Sequence, residues 1–236
     1  MPARTNHKHK ISVVIAAFNE ATRISEVLKI VESHPLIDEV IVVNDGSTDN
    51  TSEIVKRFDV TLLENEKNMG KTLSVKNGVE AARNNLIMLL DADLHGLSPE
   101  SIKKLAEPVL SGQVDWTLSI RDNSFRIMRL LGVDWMSGER VVPKVLLLDP
   151  LIWSRPDIGY GLETLMNKSL LTNKKTFRSV RLQNVINTNK SEKVGFIKGW
   201  MDNVKMIGQI SKIIPLRQIF RQFIVMSYLN RKYNKQ

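Results

Sequence analysis

Five short apolar runs, separated by stretches with helical spacing, constrain this chain more than any other feature. ISVVIAA (11–17), EVIVVND (39–45), VTLLE (60–64), LIMLLD (86–91) and VDWTLSI (114–120) read as buried strands. Between the first two, ATRISEVLKIVES places Ile24, Val27, Leu28 and Val31 on one helical face, and residues 71–84 form another helical pattern. Ser47-Thr48-Asp49 supplies cap residues for a helix in NTSEIVKRF. Ser98-Pro99-Glu100 opens a further helix, with serine at the cap and proline in the first turn. Strands alternating with helices of this length predict a three-layer α/β/α fold built on a mainly parallel sheet. Ligands of such sheets lie beyond the carboxyl ends of the strands.

Past residue 120, SFRIMRLLG and GYGLETLMNKSLL read as helices, KTFRSVRLQ as a strand and MSGERVV as a loop with little period. From Val194 onward, Phe196, Ile197, Trp200, Met201, Val204 and Ile207 recur at helical spacing, and a second basic helical stretch follows Pro215. The chain therefore divides into a polar tail (1–10), an α/β domain (11–190) and a basic amphipathic helical extension (191–236).

Four polar clusters end successive strands: Phe18-Asn19-Glu20, Asn44-Asp45-Gly46-Ser47, Asn68-Met69-Gly70-Lys71 and Asp91-Ala92-Asp93. A parallel sheet brings all of them to one edge. The pair Asp91 and Asp93 closes an apolar run, where carboxylates are costly unless a cation or donor meets them. They offer hard oxygen ligands to Mg²⁺ or Mn²⁺. Residues 65–72, NEKNMGKT, nearly complete the phosphate loop of nucleotide hydrolases, with Asn65 where the first glycine belongs. A hydrolase of ATP or GTP is thus one reading. It leaves the first two clusters unexplained, because its loop should follow the strand that opens the fold.

Taken in order and spacing, IAAFNE, VVNDGSTD, NMGKT and LLDADL resemble the family 2 glycosyltransferases of the GT-A fold. SGERVV, GYGLE and NKSEKVGFIKGW resemble, less tightly, the acceptor half of bacterial and archaeal members. The resemblance implies transfer of a sugar from a UDP- or GDP-sugar, with Mg²⁺ or Mn²⁺ as cofactor, to a lipid-linked or phosphorylated acceptor at the cytoplasmic membrane face. Residue by residue, it implies that Asp93 binds the metal bridging the diphosphate, and that Asp91 assists the metal or holds the ribose. Asp45 would contact base or ribose, the segment Ala17, Phe18, Asn19 and Glu20 would line the nucleoside pocket, and Lys71 would add positive charge near the donor. His95 stands where many relatives carry glutamine, as a donor-phosphate or metal contact or a solvent-facing side chain. Glu163 in GYGLE matches a position facing the acceptor and is the candidate base, with Asp157 a weaker substitute. Arg140 in SGER is a candidate to fork onto an acceptor phosphate.

Charge bears on the partners. Residues 1–163 sum to −4, whereas residues 164–236 hold 15 Lys/Arg against two acids, giving +13. An anionic membrane surface fits the last third better than nucleic acid, which no motif suggests. The other reading is an apolar stripe packed on the domain with only the basic face wet. Cysteine is absent, which fits a reducing, cytoplasmic setting, and no run approaches the ~20 apolar residues of a membrane span.

Overall fold

The computed structural model describes residues 10–155, 161–188 and 215–233. The tail before residue 10, Asp157 and the apolar series 196–207 lie outside the described residues. A seven-stranded sheet runs in the order β3-β2-β1-β4-β7-β6-β8. Its first half comprises β1 (Ile11–Ala17), β2 (Ile37–Asn44), β3 (Thr61–Glu64) and β4 (Leu86–Asp91), all parallel. Helices α1 (Ile24–Val31), α2 (Thr51–Val55) and α3 (Lys71–Ala81) connect these strands. A two-residue strand, β5 (Leu94–His95), follows β4, and α4 (Pro99–Leu110) leads to β6 (Trp116–Arg121). Ser98 caps α4 by accepting from the Ser101 N–H at 3.2 Å, as its sequence predicts.

The central parallel strands β1 and β4 are buried on both faces. Ile11, Val13, Ile15 and Ala17 of β1 face one core with α1 and α4, while Val14 faces the other with Val75 and Val79 of α3. The period of two along a strand sends alternate side chains to opposite layers. α3 can approach β1 and β2 closely because residue 78 is glycine. A Cβ there would lie 2.4 Å from Val14 Cγ1 and 3.2 Å from Val43 Cγ2. Gly78→Ala gains about 1 kcal/mol of helix propensity, but overpacking a close interface costs roughly 1–3 kcal/mol. The steric cost is expected to win, lowering Tm by a few degrees. A raised Tm on thermal denaturation would show that α3 moves outward without penalty.

The second half departs from the sequence reading at one point. The segment read as a loop contains β7 (Arg140–Pro143), which lies antiparallel between β4 and β6. Short α5 (Arg126–Leu131) precedes it, and α6 (Lys144–Leu147) follows. Then come α7 (Leu162–Thr172), β8 (Phe177–Leu182), parallel to β6, and β9 (Ile186–Asn187), paired with β5.

The final helix, α8 (Leu216–Tyr233), rests on β8 and α7. Met226 and Asn230 are buried, and the Asn230 amide accepts from the Ser179 N–H and donates to the Gly132 carbonyl. The described part of the extension is thus docked on the domain. Among the described residues no helix is long and apolar enough to cross a membrane.

Candidate active site

Register alignment brings the polar clusters together. Ala17 pairs with Asn44, Asn44 with Glu64, and Ala16 with Asp91, so four parallel strands end level at one edge. The first two loops are laced to each other. Asn19, in the left-handed region at φ 55°, accepts from the Thr48 N–H at 2.8 Å and donates its own N–H to Ser47 Oγ. The Glu20 N–H donates to Thr51 Oγ1, and Ala17 O accepts from the Asp45 N–H. Phe18 stands half-exposed beside them, as does Met69.

Asp45 is buried, and its carboxylate holds the loop that follows β3. One oxygen accepts from the Met69 N–H at 2.8 Å and the Asn65 amide at 2.9 Å, the other from the Gly70 N–H at 2.9 Å. The side chain therefore shapes this edge of the sheet, with both carboxylate oxygens accepting from the loop that follows β3. Gly70 turns the chain at φ 90° into α3, which places Lys71 at the helix start. Asn65 also donates to Ser74 Oγ at 3.0 Å. This side chain is a structural joint, and the loop that carries it follows the edge strand β3. Both facts oppose the phosphate-loop reading.

Lys71 joins two elements far apart in sequence. Its Nζ donates to Asp91 Oδ1 at 2.9 Å and to Glu163 Oε1 at 2.8 Å. Burial disfavours its charge, but the two carboxylates outweigh this and hold its pKa above the ordinary lysine value. Glu163, in the first turn of α7, is nearly buried.

Behind Asp91 lies a charge cluster that the sequence reading missed. Arg121, at the end of β6, lies 3.7 Å from Asp91, 2.7 Å from Glu139 and 3.8 Å from Asp134. Glu139 is fully buried and also accepts from Ser119 Oγ at 2.6 Å and Ser137 Oγ at 2.8 Å. Burial pushes the Glu139 carboxyl up, against the pull of Arg121. Burial would raise Asp91 as well, but Lys71 and Arg121 bring it down to about 2. Gly138 passes so close that a Cβ would meet Asp91 Oδ1 at 2.6 Å. One signal was available: Arg121 ends an apolar run, just as Asp91 does.

Two expected contacts are placed elsewhere. Arg140 is fully buried, with its guanidinium donating to Ser137 O, Asn167 Oδ1 and Trp135 O and lying over the Trp116 ring. Burial lowers its pKa to about 10. No face of it is open to an acceptor phosphate, so its position in β7 makes it a core tie. His95 lies between Glu26 at 2.9 Å and Thr188 at 3.2 Å.

Asp93 sits half-buried in the turn between β4 and β5, and its carbonyl accepts from the Thr188 N–H. Among the described residues no group of three or more metal-ligating side chains gathers. Asp91 and Asp93 at the open strand end fit a different mode, in which Mg²⁺ or Mn²⁺ takes one or two carboxylates and completes its shell with substrate phosphates and water.

A parallel strand edge with polar loops, an aspartate pair and a lysine at the start of the preceding helix defines a GT-A fold of the kind that handles nucleotide sugars. The chain belongs to the family 2 glycosyltransferases: the family model "Glycosyl transferase family 2" matches residues 12–145, more than half its length. It is 39% identical over 94 residues to a dolichyl-phosphate beta-glucosyltransferase of Trichomonas vaginalis, covering 34% of this chain and 28% of that protein. It is 33% identical over 123 residues to the undecaprenyl-phosphate 4-deoxy-4-formamido-L-arabinose transferase of Pseudomonas paraeruginosa, covering 48% and 36%. These matches thus span well under two thirds of the curated relatives' lengths. Among solved structures, glucosyl-3-phosphoglycerate synthase of Mycobacterium tuberculosis, in complex with Mn²⁺, UDP and glucosyl-3-phosphoglycerate, superposes with a TM-score of 0.67. That match has 20% identity and covers 90% of this chain and 85% of that one.

Proposed function

We propose that this chain is a metal-dependent glycosyltransferase that moves a sugar from a UDP- or GDP-sugar to a lipid-linked or phosphorylated acceptor at the cytoplasmic membrane face. The observation that carries the reading is the Lys71 bridge. One cation joins the acidic end of β4 to the acidic first turn of α7, so the donor and acceptor halves of the family pattern meet at a single point.

Roles follow from position. The segment Ala17–Glu20 lines the nucleoside pocket, with Phe18 offering an apolar face to the base. Asp45 sets the loop that presents Lys71. Asp93, with Asp91 beside it, would hold a divalent cation, which would supply positive charge for the leaving diphosphate. Lys71 adds a positive group at the same place. Glu163 receives the acceptor proton where the acceptor is a hydroxyl, whereas a phosphate acceptor is already ionised and needs no strong base. The lipid-phosphate transferases among the relatives support an anionic acceptor.

A thermal-shift panel of nucleotide sugars with and without Mn²⁺ tests the reading. One UDP- or GDP-sugar is expected to raise Tm only with metal, by about 5 °C or more at a hundredfold excess over Kd. ATP and GTP are expected to release no phosphate in the presence of the protein. Steady phosphate release that disappears in Lys71→Ala would overturn the transferase reading in favour of a hydrolase.

A further inference from the structure

The outward face of α8 is the inverse of an ordinary docked helix. At 3.6 residues per turn its exposed residues fall on one arc of about 120°, opposite buried Met226 and Asn230. That arc carries three large apolar side chains, Phe220 at 66%, Ile224 at 52% and Tyr228 at 67% exposure. Interleaved with them are Arg217, Arg221, Arg231 and Lys232, also exposed, and α8 contains no acid. The sequence suggested apolar and basic residues on opposite faces. The structure puts both on the same one.

α5 repeats the arrangement. Phe125, Ile127 and Leu130 are 54%, 58% and 72% exposed, with exposed Arg126 and Arg129 beside them and no acid in the helix. Its last turn is tied to α8, since the Asn230 amide donates to the Gly132 carbonyl at 2.7 Å. Two neighbouring helices thus each turn apolar and cationic side chains outward.

We propose that the outward faces of α8 and α5 form a docking surface for a bilayer with anionic headgroups. Aliphatic and aromatic side chains reach the boundary between headgroups and acyl chains, while the cations around them meet lipid phosphates. Nucleic acid would engage the arginines but leave Ile224, Ile127 and Leu130 in water. A second copy of the chain, paired by two-fold symmetry, would set each cation cluster against its own image. The bilayer satisfies both kinds of side chain. The surface gives the membrane-side acceptor proposed above its location, and rests on that reading for its purpose alone.

Sedimentation of the full chain with vesicles provides the test. The protein is expected to bind vesicles of phosphatidylglycerol mixed with phosphatidylcholine, to ignore phosphatidylcholine alone, and to release as salt rises. Replacing Arg217, Arg221, Arg231 and Lys232 together by glutamine should lower partitioning about 100-fold or more. Both Phe220→Ser/Ile224→Ser and Ile127→Ser/Leu130→Ser should weaken it with Tm unchanged, because these side chains face outward. Wild-type binding by the glutamine variant, or no vesicle binding at low salt, overturns the proposal. So does a dimer in size-exclusion chromatography that Phe220→Ser/Ile224→Ser dissociates. The metal-dependent thermal shift with donor should survive in every surface variant, which separates failure of this surface from failure of the transferase reading.

Discussion

Asp93→Ala is expected to abolish sugar transfer and the metal-dependent part of donor binding while leaving the fold intact. The residue sits in the turn after β4, outside the sheet ladder, and the contact between its carbonyl and the Thr188 N–H does not need the carboxylate. The variant therefore removes the proposed metal-binding carboxylate and leaves this backbone contact in place. A divalent cation held there would supply several kcal/mol of transition-state stabilisation. Its loss corresponds to roughly a thousandfold or more in rate. Turnover and Mn²⁺-dependent donor affinity measured together provide the check. Wild-type turnover in the variant, or full activity of the native protein in excess chelator, would sink the assignment. Asp91 differs from Asp93, because its carboxylate also neutralises Lys71 and Arg121.

Arg121→Met is expected to be among the most destabilising single changes in the domain. The side chain fits the space, but it leaves Glu139 fully buried with no ion-pair partner and takes one cation from Asp91. Breaking a buried pair by removing one partner costs about 3–5 kcal/mol, equivalent to a fall of about 10 °C or more in Tm for a chain of this size. Adding Glu139→Gln should restore part of the loss, since the uncompensated carboxylate is then gone. A single variant as stable as the native protein would mean that Glu139 folds neutral and needs no cation. The acid limb carries the same information. Lys71 and Arg121 hold Asp91 at about 2, below the ordinary aspartate range. It therefore contributes stability that is present above the ordinary carboxylate range and is lost as pH falls toward 2. Without Arg121 that contribution shrinks, and acid unfolding should begin at higher pH.

What the sequence revealed depended on whether a signal was local. β1 and β4 were legible as unbroken apolar runs of five residues, VVIAA and LIMLL, and α1 by its helical period. Their alignment at one edge followed from the parallel order, which placed the four polar clusters correctly. β7 was not legible. Its four residues offer only Val141 and Val142 between an arginine and a proline, and the neighbours that make it a strand come from distant parts of the chain. The same burial changed the meaning of Arg140, which looks like a phosphate fork in sequence and is enclosed by carbonyl and amide acceptors in the fold. Arg121 and Glu139 were invisible as a pair, since 18 residues and a helix separate them. In the last helix the net charge was read correctly but the phase was not. Phe220 and Ile224 belong with the arginines, because Met226 and Asn230 fix which side meets β8.

The insertion of β7 also sets how the chain must assemble. It alone joins the β1–β4 half of the sheet to β6 and β8. A nascent chain ending before residue 140 would have the β4 edge, with apolar Leu86, Ile87, Met88 and Leu89, unpaired and open to association with another strand. Closing that edge is a long-range event of the slow kind, since loop-closure entropy is lost before the ladder forms. The residues just ahead of it, Gly138 and Glu139, pack on Asp91 and Arg121. The step that seals the sheet therefore also seats the carboxylate at the end of β4, so a folding intermediate without β7 would lack both an intact sheet and a formed site.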